Sequence, residues 1–274
     1  MKDKKTRAFL KWAGGKYNLI EAITAQLPQG KKLIEPFVGA GSVFLNTDYP
    51  KYLLNDINPD LINLYNIVKK RSAQYIQDSA TLFQAENNQE QRYYDIRKQF
   101  NASTDIYERA VFFLYLNRHG YNGLCRYNNS GGFNVPFGRY KAPYFPEKEL
   151  HFFAEKSQKA TFTCEPFEKT FSKARKGTVI YCDPPYAPIS KTAMFNSYAK
   201  GGFTLDSQVK LAAIANRTFC HRKIPVLISN HDTEFTRDIY QDAKISELQV
   251  SRFISQNGKN RKKVAELFAL YSAN

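Results

Sequence analysis

Residues 181–188 read YCDPPYAP: an acid, two prolines and a tyrosine, directly after the apolar run TVIYC. Proline fixes φ and removes a backbone donor, so a proline pair stops a strand. The same stiffness holds the Asp183 carboxylate, the Pro184 carbonyl and the Tyr186 ring in one small space. Two acceptors and a ring suit a planar heterocycle that carries an exocyclic amino group. A plain strand-ending turn uses the same residues, so the rest of the chain decides between the two.

A second set has the spacing of a nucleotide site. Loop 35–42, EPFVGAGS, offers Glu35, Phe37, Gly39, Gly41 and Ser42. No G-K-[ST] closes it, and it is not G-x-G-x-x-G. Gly39 and Gly41 let the backbone approach a ligand closely at the end of a strand. Asp56 lies seventeen positions beyond Gly39, at the end of the next apolar run. An acid about that far along is where an adenosine ribose is held. Glycine pairs also make ordinary turns, but the pair, the acid and the strand order together point to an adenosine-type cofactor. LKWAGGK (10–16) adds Trp12, the only tryptophan, and Lys16. Trp12 suits stacking on adenine, with a core anchor as the alternative. Lys16 suits a cofactor carboxylate.

The elements that must position these residues alternate. KLIEPFVGAGS (32–42), YLLNDINPD (52–60), TVIYCDPPY (178–186) and IPVLISNHD (224–232) read as strands ending in polar or glycine-containing loops. LIEAITAQL (19–27), the stretch after Asn58-Pro59 and LDSQVKLAAIANRTF (205–219) read as helices, with Asn58 as N-cap and Pro59 in the first turn. Alternation of this kind predicts an α/β fold with a mostly parallel, doubly wound sheet. Residues 60–145 break the rhythm: two helical patterns, then a stretch dense in Gly, Asn, Arg and Tyr with a hairpin tip at NNSGG (128–132). We read 1–59 with 146–274 as a catalytic domain and 60–145 as an inserted subdomain. KISELQV and KKVAELFALYS read as two strands joined by the basic loop NGKNRKK (257–263), which suits phosphate or a solvated turn.

Lys plus Arg is 40 against 25 acids, a net charge of +15 over 274 residues. So large a charge on a chain with a packable core points to a polyanion partner. Cys125, Cys164, Cys182 and Cys220 form no C-x-x-C pair, and the four histidines do not cluster beside them. Neither a metal site nor a disulfide framework is expected. The N-terminus has no secretory pattern, and AVFFLYL (110–116) is too short to span a bilayer. A soluble, cytoplasmic protein with no membrane partner is expected.

FVGAGS, an inserted region and then DPPY is the motif order of amino-methyltransferases. LKWAGGK, NRHGYNGLCRYN, FNVPFGRYKAPYFPE and VLISNHDT extend the resemblance over essentially the whole chain. The sequence resembles the bacterial Dam-type DNA adenine N6-methyltransferases. That resemblance implies a Rossmann-like methyltransferase sheet with an inserted helical and hairpin DNA-recognition subdomain. It implies S-adenosylmethionine as cofactor, near Trp12, Lys16, Asp56 and Asp183, and double-stranded GATC as substrate. It implies a flipped adenine on Asp183, Pro184, Pro185 and Tyr186. For DNA it implies Lys11, Tyr121, Asn122, Leu124, Arg126, Asn134, Pro136 and Tyr140. A monomer, associated with the bacterial nucleoid through DNA, is expected.

In this reading Arg126 pairs with guanine O6 and N7, Lys11 is a second guanine contact, and Tyr121 wedges beside Asn122 into the gap left by the base. A phosphate contact or a solvated side chain is the alternative for each. Asp183 acts as a hydrogen-bond acceptor, because an ordinary carboxylate is too weak to deprotonate neutral adenine. The Cys182 thiol faces the core. Two rivals remain on the sequence alone: an amino-methyltransferase for another acceptor, and a DNA-binding regulator that keeps the fold without catalysis.

Overall fold

Four short apolar runs form strands, KLIE, KYLLN, TVIYC and VLISNH, in which every residue but Lys32, Lys51 and His231 is buried. Consecutive burial means that both faces of the sheet are covered, as in parallel α/β sheets. The computed structural model describes residues 5–187, 202–250 and 264–273. In chain order its elements are α1 (Ile20–Gln26), β1 (Lys32–Glu35), α2 (Ser42–Leu45), β2 (Lys51–Asn55), α3 (Pro59–Thr81), α4 (Glu90–Ala102) and α5 (Ile106–His119). Then come α6 (Glu147–Lys156), β3 (Ala160–Thr163), α7 (Phe167–Ser172), β4 (Thr178–Cys182), α8 (Leu205–Arg222), β5 (Val226–His231), α9 (Glu234–Ile239), β6 (Lys244–Val250) and β7 (Val264–Tyr271).

The strand order is β3-β2-β1-β4-β5-β7-β6. β1 pairs parallel with β4 (Leu33↔Val179) and β4 parallel with β5 (Tyr181↔Leu227). β7 runs antiparallel to both β5 and β6. The sheet is therefore mixed, with a parallel body and an antiparallel C-terminal pair. β3 and α6 escaped the sequence reading. β3 alternates buried and exposed residues over only four positions, too short a run to separate from a loop. The basic loop 257–263 lies outside the described residues.

The chain divides into two compact units. Residues 25–37, 49–53 and 165–274 form one. Its core joins Ile34, Ile180, Val226, Ile228 and Leu267 of the sheet to Leu211, Ala212 and Ala215 of α8. Residues 1–24, 38–48 and 54–164 form the other. There Phe9, Tyr65 and Phe153 pack ring to ring, with centroids 4.7–5.9 Å apart. α5 is buried on every side from Ala110 to His119, which explains the unbroken apolar run AVFFLYL. Among the described residues no helix is long and apolar enough to cross a membrane. α3 starts where expected: Asn58 Oδ1 accepts from the Asp60 and Leu61 N–H groups at 3.0 and 3.2 Å, and Pro59 takes the first helical position.

Candidate active site

β1 and β4 are neighbours at the point where the strand order of the parallel body reverses. Ligands of open α/β sheets bind outside the carboxyl ends of strands at such a switch point. Glu35 closes β1 and Asp183 follows Cys182, the last residue of β4. Cys182 is fully buried, and burial pushes its thiol far above the usual range, so it offers no thiolate. Glu35 is also buried, and Phe37 packs edge-on against Phe203 and beside Phe167, with centroids 5.4–5.5 Å away.

The turn after β4 is braced by side chains of β5, β7 and α8. Ser229 donates to Asp183 Oδ1 at 3.1 Å and lies 3.0 Å from the Tyr181 hydroxyl. Gln208 donates to the Pro185 carbonyl at 2.7 Å and accepts from Asn230 at 2.9 Å. Asn230 Oδ1 accepts the Ala187 N–H at 3.0 Å. Tyr186 donates its hydroxyl to Glu266 at 2.7 Å, and its ring meets His231 edge-on at 4.7 Å. Burial, reinforced by the Asp183 charge, holds the Tyr186 phenol well above its ordinary range. The turn is thus a fixed object in which carboxylate, proline carbonyls and ring keep their places.

The other unit gathers the remaining cofactor candidates. Gly39 has φ +47° and Gly41 φ +73°, both left-handed. A Cβ on Gly39 would come 2.9 Å from Trp12 Nε1, so the loop passes directly under the indole. Asp56 accepts the Gly39 N–H at 3.1 Å through Oδ2 and the Asn58 N–H at 3.0 Å through Oδ1. Burial raises its carboxyl, and these backbone donors oppose the rise. Tyr65 donates to the Gly39 carbonyl at 2.5 Å. Ser42 opens the short helix α2. Lys16 is 4 % exposed and donates to the Gly14 carbonyl at 2.7 Å. Trp12, Gly39 and Asp56 therefore form one packed group. Ile57, beside Asp56, is 70 % exposed despite being apolar.

The same unit carries a hairpin after α5. Bridges Gly120↔Phe137 and Tyr127↔Phe133 align its arms, and the Asn128 N–H to Gly132 carbonyl bond closes the tip at NNSGG. Arg126 is exposed and spans the arms, with Nε 2.8 Å from Asn134 Oδ1 and Nη2 3.2 Å from the Asn134 carbonyl. That clamp uses one edge of the guanidinium and leaves the Nη1/Nη2 end for a planar acceptor pair. Tyr121, Asn122 and Pro136 are exposed nearby, and Leu124 is half-buried. The Lys11 ammonium lies 3.8 Å from the Tyr140 ring centroid, and the Tyr140 hydroxyl accepts the Asn122 N–H at 3.0 Å. Burial, then repulsion from Arg118, lowers the Lys11 pKa. Every hairpin residue singled out in the sequence falls in this group.

A partly buried network ties the hairpin to α3. Asn58 donates to Cys125 Sγ at 3.4 Å, Tyr127 donates to Asp60 Oδ2 at 2.6 Å, and Arg109 grips Asp60 with two bonds of 2.9 Å. The residues on either side of Arg126 are therefore anchored. Sequence reasoning missed this network, as it missed Ser229, Asn230, Gln208 and Glu266. The polar triplet Ser-Asn-His in the otherwise apolar VLISNH was the one signal available.

A mixed α/β sheet with a rigid Asp-Pro-Pro-Tyr turn at its switch point defines a Rossmann-like methyltransferase. The family is specific: the model of the D12 class N6 adenine-specific DNA methyltransferases matches residues 12–254, and the chain belongs to that family. It is 60 % identical over 269 residues to the DNA adenine methylase of Vibrio cholerae, covering 98 % of this chain and 97 % of that one. It is 60 % identical over 268 residues to the DNA adenine methylase of Escherichia coli K12, covering 98 % and 96 %. Identity to the Serratia marcescens DNA adenine methylase is 59 % over 268 residues, covering 98 % and 99 %. The chain is an adenine-specific DNA methyltransferase. Among its described residues no group of three or more His, Cys, Asp or Glu side chains is placed to hold a metal ion.

Proposed function

We propose that the enzyme transfers a methyl group from S-adenosylmethionine to N6 of adenine in double-stranded GATC, taking the base out of the stack. The observation that carries this reading is the braced Asp183 at the switch point. The Asp183 carboxylate and the Pro184 carbonyl each accept one N6–H. This localises the nitrogen lone pair and stabilises the positive charge that nitrogen gains on methylation. The proton leaves during or after transfer, to water. Tyr186 stacks on the extruded ring and recovers about 1–3 kcal/mol of the flipping cost.

The residues fit the cofactor. S-adenosylmethionine, when bound, supplies a methyl group on a positively charged sulfur. The left-handed Gly39 gives it backbone access, Asp56 has a second lone pair on each oxygen for ribose hydroxyls, and Trp12 and the exposed Ile57 give apolar faces for adenine. Within this unit Lys16 takes the amino-acid carboxylate, and Gly41 and Ser42 complete the set; Glu35, Phe37 and Asp183 are the cofactor candidates of the other unit. On the DNA side Arg126 reads guanine with its unclamped end, Lys11 reads a second guanine, and Tyr121 fills the gap beside Asn122. Leu124, Asn134, Pro136 and Tyr140 shape that surface. Residues 60–145 act as the recognition subdomain, and the enzyme works as a monomer on the nucleoid of a bacterial cytoplasm.

Methyl transfer from labelled S-adenosylmethionine to two duplexes tests this reading. One holds a single GATC; the other holds GTTC with its GAAC complement. Label only on the first, recovered as N6-methyladenine, is the expected result. Label on both removes the specificity, and label on neither removes the proposed reaction.

A further inference from the structure

The amino ends of the parallel strands, opposite Asp183, carry a cationic face that the methyl-transfer machinery does not use. Lys32 pairs with Thr178 at the start of β1 and β4, and Lys51 is the first residue of β2. The Lys31 N–H donates to the Gly177 carbonyl at 2.8 Å, which puts Lys31 beside the turn bearing Arg175 and Lys176. Arg175 folds back on the Ser172 and Ala174 carbonyls at 2.7 and 2.8 Å, close to Lys173. Lys31, Lys51, Lys173, Arg175 and Lys176 are exposed. Among the described residues one carboxylate, Glu165, is ion-paired to this group, through Lys173. Burial, and then repulsion from Lys173, Lys51 and Arg175, lowers the Lys32 pKa.

A fold that crowds cations against one carboxylate retains repulsion that an anionic partner would relieve. Three adjacent strands about 4.8 Å apart make this face about 10 Å wide, the rise of about three phosphates along one DNA strand. β4 has five residues, Thr178–Cys182, so the face lies about 16 Å from the Asp183 turn at about 3.3 Å per residue. We propose that this face is a second, sequence-independent binding surface for duplex DNA, engaging a segment other than the one that holds the target base. Duplex DNA is favoured over other polyanions because the enzyme already acts on it. Holding one site places flanking and looped segments at high effective concentration. The surface would keep the enzyme on long DNA between methylation events.

The test uses the intact enzyme saturated with a short duplex holding one GATC. A labelled long duplex without GATC is then titrated at several salt concentrations. The comparison is the exposed-residue variant K31Q/K51Q/R175Q/K176Q, checked for unchanged melting. The wild type should bind the second duplex, and the variant should bind it at least about tenfold more weakly. Its log–log salt slope should be shallower by about three to four, at about 0.9 per lost phosphate contact. Turnover on the short duplex should agree within about twofold, since none of the four residues touches the proposed reaction. Equal affinity of wild type and variant for the second duplex would overturn the proposal. So would tighter binding of single-stranded RNA or of anionic lipid vesicles than of the duplex. Loss of short-duplex turnover in the wild type would instead count against the proposed reaction.

Discussion

Asp183 and Tyr186 are held by side chains from neighbouring strands. Ser229 fixes one oxygen of the acid and Glu266 fixes the phenol. Removing the phenol alone, by Tyr186→Phe, leaves the stacking surface and is expected to keep transfer within about tenfold. Tyr186→Ala takes away the ring proposed to stack on the base, worth about 1–3 kcal/mol, and should cut transfer by about tenfold to a hundredfold. Single-turnover rates on one GATC duplex separate the two. Gly39 presents a different constraint. An alanine there pays about 1 kcal/mol or more for the left-handed backbone and drives its methyl into Trp12 Nε1. Gly39→Ala should weaken cofactor binding at least about tenfold. Trp12 is the only tryptophan, so its fluorescence reads that titration directly.

The hairpin depends on what lies beneath it. His119, at the end of α5, is 1 % exposed, stacks on Tyr115 at 3.9 Å and bonds the Tyr115 carbonyl through Nδ1. Burial lowers its pKa to about 4, against an ordinary 6.5. A depressed folded pKa gives stability that is full above about pH 6.5 and is lost as pH falls towards 4. Between pH 7 and pH 5 the wild type should lose about 2 kcal/mol through this group, at about 1.4 kcal/mol per unit. Urea unfolding of His119→Gln at the two pH values should show that share of the loss removed; equal losses would place the titration elsewhere. The clamp on Arg126 has its own consequence. Asn134→Ala removes the bond to Nε and leaves only the backbone carbonyl on Nη2, so the guanidinium is held less firmly and discrimination of GATC from a guanine-substituted site should drop about fivefold to tenfold, while affinity for unrelated duplex changes less.

Local features explain how much the sequence disclosed. Asn58-Pro59 announced the start of α3, and Asp183-Pro184-Pro185-Tyr186 announced a rigid turn, because caps and prolines act within a few residues. Gly39 and Asp56 were legible as a pair, and one hydrogen bond joins them. The braces were not legible. Ser229 reaches Asp183 across 46 positions and Glu266 reaches Tyr186 across 80. Asp60 meets Tyr127 across 67. Contacts of such separation leave no periodic trace, only polar residues in strands or helices that should be apolar. β3 was missed for the related reason that an alternation over only four residues is too short to separate from a loop.

At the scale of the molecule, the parallel strands have different ends. Their carboxyl ends hold the acid, the prolines and the ring, while their amino ends gather lysines. The net charge of +15 suits a polyanion partner, while the proposed chemistry needs one carboxylate in one place. Binding and reaction should therefore separate cleanly. The most direct measurement is single-turnover methyl transfer by Asp183→Asn, with GATC-duplex affinity measured on the same preparation. The account predicts a loss of at least about a hundredfold in the transfer rate, the scale of removing one preorganised polar group, with duplex affinity within about threefold of wild type. Near-normal transfer by Asp183→Asn would contradict it.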